Sequence, residues 1–350
     1  MIQVQTPDER LAALKKPAVE TIKKLALNSE DCLVVCAGFE DRALGFLRTA
    51  TSFKTPFNVL AIQYLPLLKE NKSLEIRKIS NQADLILDEV TYDREDPAGF
   101  GVLFLERIHA VRGRTIIDIS GMSRLLIVQL LVALSYRDQG FRDCFVAYAE
   151  AQKYSPNQEE TEAMLAKYDL DPAFSILFLS SGVFDVTVVS ELSSSAPSSG
   201  QTRLIVFPTL DADQMTALRA ELQPSRYTVI EGIPPNPRNK WRIGAIAAIN
   251  RLEEMPNTER MKASTLDYVE TLNCLLSVYR EHGIRDRLLI SPTGSKMQAV
   301  AVGLFKACVN DVQIVYPTPR GFLFPDSYTS GVGALHFLSL TPFTRNGNAS

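Results

Sequence analysis

Histidine and tryptophan are scarce in this chain, with three of the one and a single copy of the other among 350 residues. His109, His282 and His336 stand far apart and form no HExxH or comparable ligand spacing, so the sequence offers no metal centre of a familiar motif. None lies in a loop that also carries a nucleophile, which leaves triad-type catalysis without its base and the catalytic residues unassigned. Cysteine is sparse and irregular. Cys32, Cys36, Cys144, Cys274 and Cys308 are odd in number, lack CxxC spacing and sit in apolar runs. That pattern excludes a disulfide framework and reads as reduced core residues, with Cys36 alone close to a loop. No apolar run reaches the roughly 20 residues that cross a bilayer; the longest, Leu125 to Leu134, is too short. The stretch from Met1 to Lys15 is polar and lacks the apolar centre of a signal peptide, so the sequence predicts a soluble cytoplasmic protein with no membrane partner. Neither sign of charge dominates: 37 Lys and Arg face 40 Asp and Glu, for a net charge of -3. A long DNA or RNA duplex is therefore excluded as a partner, and any anion site must be local.

What is present is the composition of a globular protein, 46% hydrophobic and 22% charged, at a length that one core rarely organises. The pattern along it repeats. Leu33-Val34-Val35-Cys36-Ala37-Gly38 reads as a buried strand ending in a turn, and Leu204-Ile205-Val206-Phe207-Pro208-Thr209 reads the same way. Ile116-Ile117-Asp118-Ile119-Ser120-Gly121-Met122-Ser123-Arg124 is answered by Leu288-Leu289-Ile290-Ser291-Pro292-Thr293-Gly294-Ser295-Lys296, and the two anchors keep their separation to within one residue. A third pair matches Phe145 to Tyr148 with Ile314 to Tyr316. A fourth matches Ser181-Gly182-Val183 with Ser330-Gly331-Val332 at a shorter separation, which places an insertion in the first half, over the polar helix-like stretch Gln158 to Tyr168.

Within each half, short apolar runs alternate with helix-like segments, as in βαβ units. The sequence thus predicts an α/β protein of two tandem Rossmann-like units with mostly parallel sheets, related by internal duplication. A unit over residues 1–192 would open with an amphipathic helix from Asp8 to Leu27. The small polar residues of 193–200 would form a flexible linker, and 201–350 the second unit. Arg238-Asn239-Lys240-Trp241-Arg242 follows a proline-rich turn and reads as a helix start.

Parallel sheets bind ligands beyond the carboxyl ends of their strands, where helix starts present backbone N–H groups. The paired loops fall there. Ser120, Gly121, Ser123 and Arg124 in one half, and Thr293, Gly294, Ser295 and Lys296 in the other, combine glycine, hydroxyls and a cation, a set that suits phosphate. Ser123 and Ser295 also read as helix caps. Arg42 and Thr209, in the loops after the first strands, are candidates to face the same ligand. Glu150, Lys153 and Tyr154, with Thr318 and Arg320, read as polar loops after the third strands of the repeat. No full Walker A and no GxGxxG is present, and no cofactor or metal is implied.

Strand, then Pro292-Thr293-Gly294-Ser295-Lys296-Met297, then helix resembles the second signature of CARF domains, the Rossmann-like sensors of cyclic oligonucleotides in prokaryotic antiviral systems. Two such units in one chain resemble tandem CARF and SAVED proteins. The sequence departs from them at Cys36-Ala37-Gly38 and Pro208-Thr209 and carries no appended nuclease or protease domain. The resemblance implies a sensor that holds a cyclic oligonucleotide in a pseudo-two-fold cleft and signals through a separate effector subunit or through homo-oligomerisation. The same loops would serve a metal-independent ring nuclease, which aligns a ribose 2′-hydroxyl with its phosphate. A phosphosugar-binding tandem of Rossmann units would share them too, though no acid–base pair for isomerisation is visible. A scaffold whose loops bind nothing is the plainest alternative.

Overall fold

The computed structural model describes residues 5–170, 180–195, 200–322 and 328–344. Helix α1 (Pro7–Ala13) is short, because Pro17 lacks a backbone N–H and holds Lys16 out of helical conformation. The single helix expected over Asp8 to Leu27 is therefore replaced by α1 and a strand, β1 (Glu20–Ile22). Strand and helix then alternate: β2 (Cys32–Cys36), α2 (Gly45–Thr51), β3 (Asn58–Leu65), α3 (Ser73–Gln82), β4 (Ile86–Asp93), α4 (Phe100–Ile108), β5 (Thr115–Asp118), α5 (Arg124–Leu134) and β6 (Cys144–Tyr154). The expected polar insertion is a helix, α6 (Gln158–Leu170), followed by β7 (Val183–Thr187). A second alternation follows: β8 (Gln201–Val206), α7 (Ala212–Leu222), β9 (Arg226–Ile233), α8 (Trp241–Ile249), β10 (Thr258–Ser264), α9 (Tyr268–His282), β11 (Asp286–Ser291), α10 (Lys296–Cys308), β12 (Gln313–Ile314) and β13 (Tyr316–Pro319). The last strand is β14 (Thr329–Ser339).

Both alternations build the same sheet. In a seven-stranded sheet ordered β1-β14-β6-β5-β2-β3-β4, the five strands from β6 to β4 run parallel. A five-stranded sheet ordered β10-β9-β8-β11-β12 is parallel throughout. Each reads third, second, first, fourth, fifth in the chain order of its parallel strands, the order of a Rossmann sheet short of its sixth strand. The fold is thus α/β, and two of the repeated sequence anchors (β2 with β8, β5 with β11) occupy equivalent places; of the third, Ile314 lies in β12 at the place of β6, whereas Tyr316 falls in β13 of the two-stranded sheet. A shared strand order does not by itself establish descent by duplication. Burial explains the apolar runs. All five residues of β2 are buried, as a central parallel strand requires, and α5 and α10 are buried over nearly their whole lengths.

The chain separates into two compact units, but not at the expected linker. One comprises Met1–Ala13 with Pro156–Phe324, the other Leu14–Ser155 with Pro325–Ser350. Hydrogen bonding along strand edges decides this. Strand β14 pairs antiparallel with β6 from Thr329↔Tyr154 to Ser339↔Phe145, and on its other side with β1, so the C-terminal strand belongs to the seven-stranded unit. Reciprocally, β7 pairs antiparallel with β13 in the other unit, through Tyr316↔Thr187 and Thr318↔Asp185. The boundaries 1–192 and 201–350 are corrected accordingly. This pairing also makes strand of what read as loop: Glu150, Lys153 and Tyr154 lie within β6, and Thr318 within β13.

The start of the expected linker is anchored. Ser194 Oγ donates to Asp311 O at 2.7 Å, Ser195 N to Asn310 O at 3.2 Å, and Lys306 Nζ to Ser193 O at 2.8 Å; residues 196–199 lie outside the described residues. The cysteines are free, but the partly exposed one is Cys308, whereas Cys36 is 1% exposed as the last residue of the buried strand β2.

Candidate functional site

In a sheet of this order the chain leaves the first and fourth strands in opposite directions, and the crevice between their carboxyl ends is the usual ligand position. In the seven-stranded unit this is the gap between β2 and β5, and backbone packing closes its base. A Cβ on Gly121 would stand 2.3 Å from Cys36 O, and one on Gly38 would stand 2.8 Å from Gly121 O, so both positions need glycine. Ser120 is fully buried: its hydroxyl donates to Asp118 and accepts from Ala149 N at 2.8 Å, and its amide donates to Asp118 Oδ1 at 2.9 Å. Tyr64 from β3 takes the amide of Ser123 on its hydroxyl at 2.5 Å. Ser123 caps α5 by accepting from Leu126 N, and Arg124, half-buried, is the first residue of the helix.

Arg42 has another role than the one expected of it. It is 5% exposed, with Nε and Nη2 on the two carboxylate oxygens of Glu40 at 2.8 and 2.9 Å, and Nη1 on Tyr148 Oη at 3.2 Å. The rings of Tyr148 and Tyr154 flank its guanidinium, each centroid 5.7 Å away, and Thr329 Oγ1 donates to Glu40 Oε2 at 2.9 Å. A buried ion pair with its remaining valences filled is a structural knot. Glu40 neutralises the charge that was expected to meet a phosphate.

The five-stranded unit repeats the plan with other atoms, between β8 and β11. Thr293, 2% exposed, donates its hydroxyl to Phe207 O at 2.7 Å and so ties the two loops together. A Cβ on Gly294 would meet Gln298 Oε1 at 2.3 Å and Phe207 Cβ at 2.8 Å. Ser295 and Gln298 form a capping box at the start of α10, and Ser295 Oγ also donates to Thr265 O at 2.7 Å. Lys296, half-buried, is the first residue of the helix. Thr209, partly exposed, accepts the amide of Asp211 on its hydroxyl at 3.1 Å and offers its carbonyl to Asn250 Nδ2 at 2.7 Å. Two buried atoms at this loop, Ser291 Oγ and Gln298 Nε2, have no hydrogen-bond partner among the described residues.

Of the ten candidates, Ser120, Gly121, Thr293 and Gly294 hold the loops, Arg42 and Thr209 serve their own turns, and Ser123 and Ser295 cap helices. Arg124 and Lys296 stand at the two helix starts, one in each unit. Residues that sequence reasoning missed are Asp118, Tyr64, Tyr148 and Gln298. Gln298 was visible as the fourth member of the Ser-x-x-Gln pattern, whereas Tyr64 and Tyr148 come from other strands and leave no local signal.

No family model matches the chain, and no curated protein matches it. Among solved structures, the cytoplasmic domain of a prokaryotic cation chloride cotransporter shares 9% identity over 83% of this chain and 95% of its own, with a TM-score of 0.22. A ketoreductase domain from the bacillaene assembly line shares 11% over 86% and 71%, with a TM-score of 0.20. Overlap this small carries no argument about fold or function.

Proposed function

We propose that this is a cytoplasmic nucleotide-binding sensor or adaptor for a cyclic oligonucleotide, with one candidate phosphate site at the start of α5 in its unit and another at the start of α10 in the other, acting in prokaryotic antiviral defence through a separate effector. The observation that supports this reading is the charge pattern of those two helices. Each begins at a switch-point crevice with a serine cap and a cation in first position, and neither has an acidic residue in its first turn. Helices α7 and α9 carry Asp213 and Glu270 in theirs; α2, α4 and α8 also lack a first-turn acid, but none of them has a serine cap followed by a cation. Acids in a first turn offset the positive end of the helix dipole, so their absence beside Arg124 and Lys296 leaves that end to an external anion. The unpartnered Ser291 Oγ and Gln298 Nε2 make the α10 loop the less internally satisfied of the two, and favour it as the stronger phosphate site.

Calorimetric titration of the whole protein with a panel of cyclic oligonucleotides tests this. Loss of one charge-assisted contact costs about 1.5–3 kcal/mol, or one to two orders of magnitude in affinity. Lys296→Glu is expected to exceed that loss, and Arg124→Glu to cause a smaller one, with the far-ultraviolet circular dichroism of both unchanged. Absence of binding by the wild-type protein, or unchanged affinity in both variants, would overturn the reading.

A further inference from the structure

At the amino ends of the strands in the five-stranded unit, a cavity of about 710 Å³ opens beside the first residues of β8, β9 and β10 and the end of α9. In its wall the imidazole of His282 meets two carboxylates. Nε2 lies 3.2 Å from Glu259 Oε2 and 3.8 Å from Glu281 Oε1, and all three potential ligand atoms fall within 4.8 Å of one another. Behind them Arg203, 4% exposed, is bound to Asp286 at 2.8 Å and approaches Glu259 only to 3.5 Å. Arg226, another cation of the wall, donates to Gln201.

We propose that Glu259, Glu281 and His282 form a binding site for a divalent transition-metal ion of the zinc class, with an open coordination position facing this cavity. Three observations carry the inference. The donor set is mixed, one imidazole nitrogen and two carboxylate oxygens, which suits a borderline ion and distinguishes the site from a surface patch of acids. The spacing is close to what such an ion imposes: ligand atoms about 2.0–2.2 Å from a tetrahedral metal stand roughly 3.3–3.6 Å apart, and the His282 separations bracket that range. Carboxylates crowd the imidazole. Glu259 and Asp286 share the buried guanidinium of Arg203, Glu281 faces His282, and an Nε2–H donates to one glutamate at a time. A divalent ion between them removes the repulsion and uses the imidazole as a nitrogen ligand. With three protein ligands, the next position turns toward the cavity, as in sites that bind water or a substrate oxygen. The adjacency of Glu281 and His282 at the end of α9 gives no motif, which is why sequence reading found no metal site.

Equilibrium dialysis of the whole protein against Zn2+, together with the visible absorption of its Co2+ form, tests the inference. One equivalent of zinc per chain is expected, with affinity falling at least a hundredfold in His282→Ala and Glu259→Gln and about tenfold in Glu281→Gln. The Co2+ spectrum should change in all three. Glu281 has a side chain that is 61% exposed, so Glu281→Gln keeps the test decisive even where the other variants fail to fold. No uptake by the folded wild-type protein would overturn the proposal. Uptake with unchanged affinity in the variants would also overturn it, since a thiol such as Cys308 would then be the ligand.

Discussion

Lys306 shows how one residue fixes a segment that sequence alone presents as loose. It lies in α10, 3% exposed, with Nζ donating to Ser193 O, Asn310 O and Val312 O at 2.8, 3.0 and 2.9 Å. Three carbonyls replace the water that its ammonium lost, and burial pushes its pKa down to about 8. Lys306→Met would leave three acceptors unfilled and is expected to destabilise the protein by about 3 kcal/mol in urea unfolding at neutral pH. The pH dependence has a definite sign. Between about 8 and the ordinary 10.5 the unfolded chain holds a proton that the folded protein has released. Stability from this residue therefore rises with pH through that window. The stability difference between wild type and Lys306→Met should widen as pH increases from 8, and a constant difference would show that the ammonium keeps its ordinary pKa.

At the scale of elements, glycines sort by what surrounds them. Gly121 sits where the β5–α5 loop presses on the end of β2, and its missing side chain is what lets the loops touch. Gly121→Ala drives a methyl group into the Cys36 carbonyl and should cost about 2–3 kcal/mol. Gly244, within α8, meets nothing within 4 Å and is exposed, so Gly244→Ala should stabilise by up to about 1 kcal/mol. Thermal melts of the two variants check both signs. The sequence marks each only as a glycine, and the atoms packed around it decide the sign of the effect. The same holds for Arg42. Its place in the loop after β2 suggested a ligand contact, while Glu40 two residues earlier and Tyr148 on β6 hold its guanidinium in a buried ion pair.

For the whole molecule, the consequential feature is that each unit is completed by a strand from the other half of the sequence. A chain ending at Leu192 matches the expected first domain but lacks β14, and so would leave the hydrogen-bonding edges of β1 and β6 open over their length. Such a chain is expected to aggregate or to melt well below the full protein. A soluble, cooperatively unfolding 1–192 fragment would show that β14 is dispensable. The expected first and second domains are thus predicted not to fold independently, because β14 completes the sheet built by the first half.

The sequence by itself determined the local grammar of this protein. Buried parallel strands must be continuous apolar runs, helices between sheet and solvent must follow them, and Ser123 and Ser295 must cap where the strand pattern stops. From that alone came the α/β class, the two matching sheets and the equivalence of their first and fourth strands. What only the tertiary structure decided was pairing at a distance. The partner of an edge strand, the acid that claims an arginine, and the helix end that brings Glu281 and His282 to Glu259 depend on segments far apart in the chain. Periodicity reports the environment of a residue, buried or exposed, and carries no information about which distant segment supplies it.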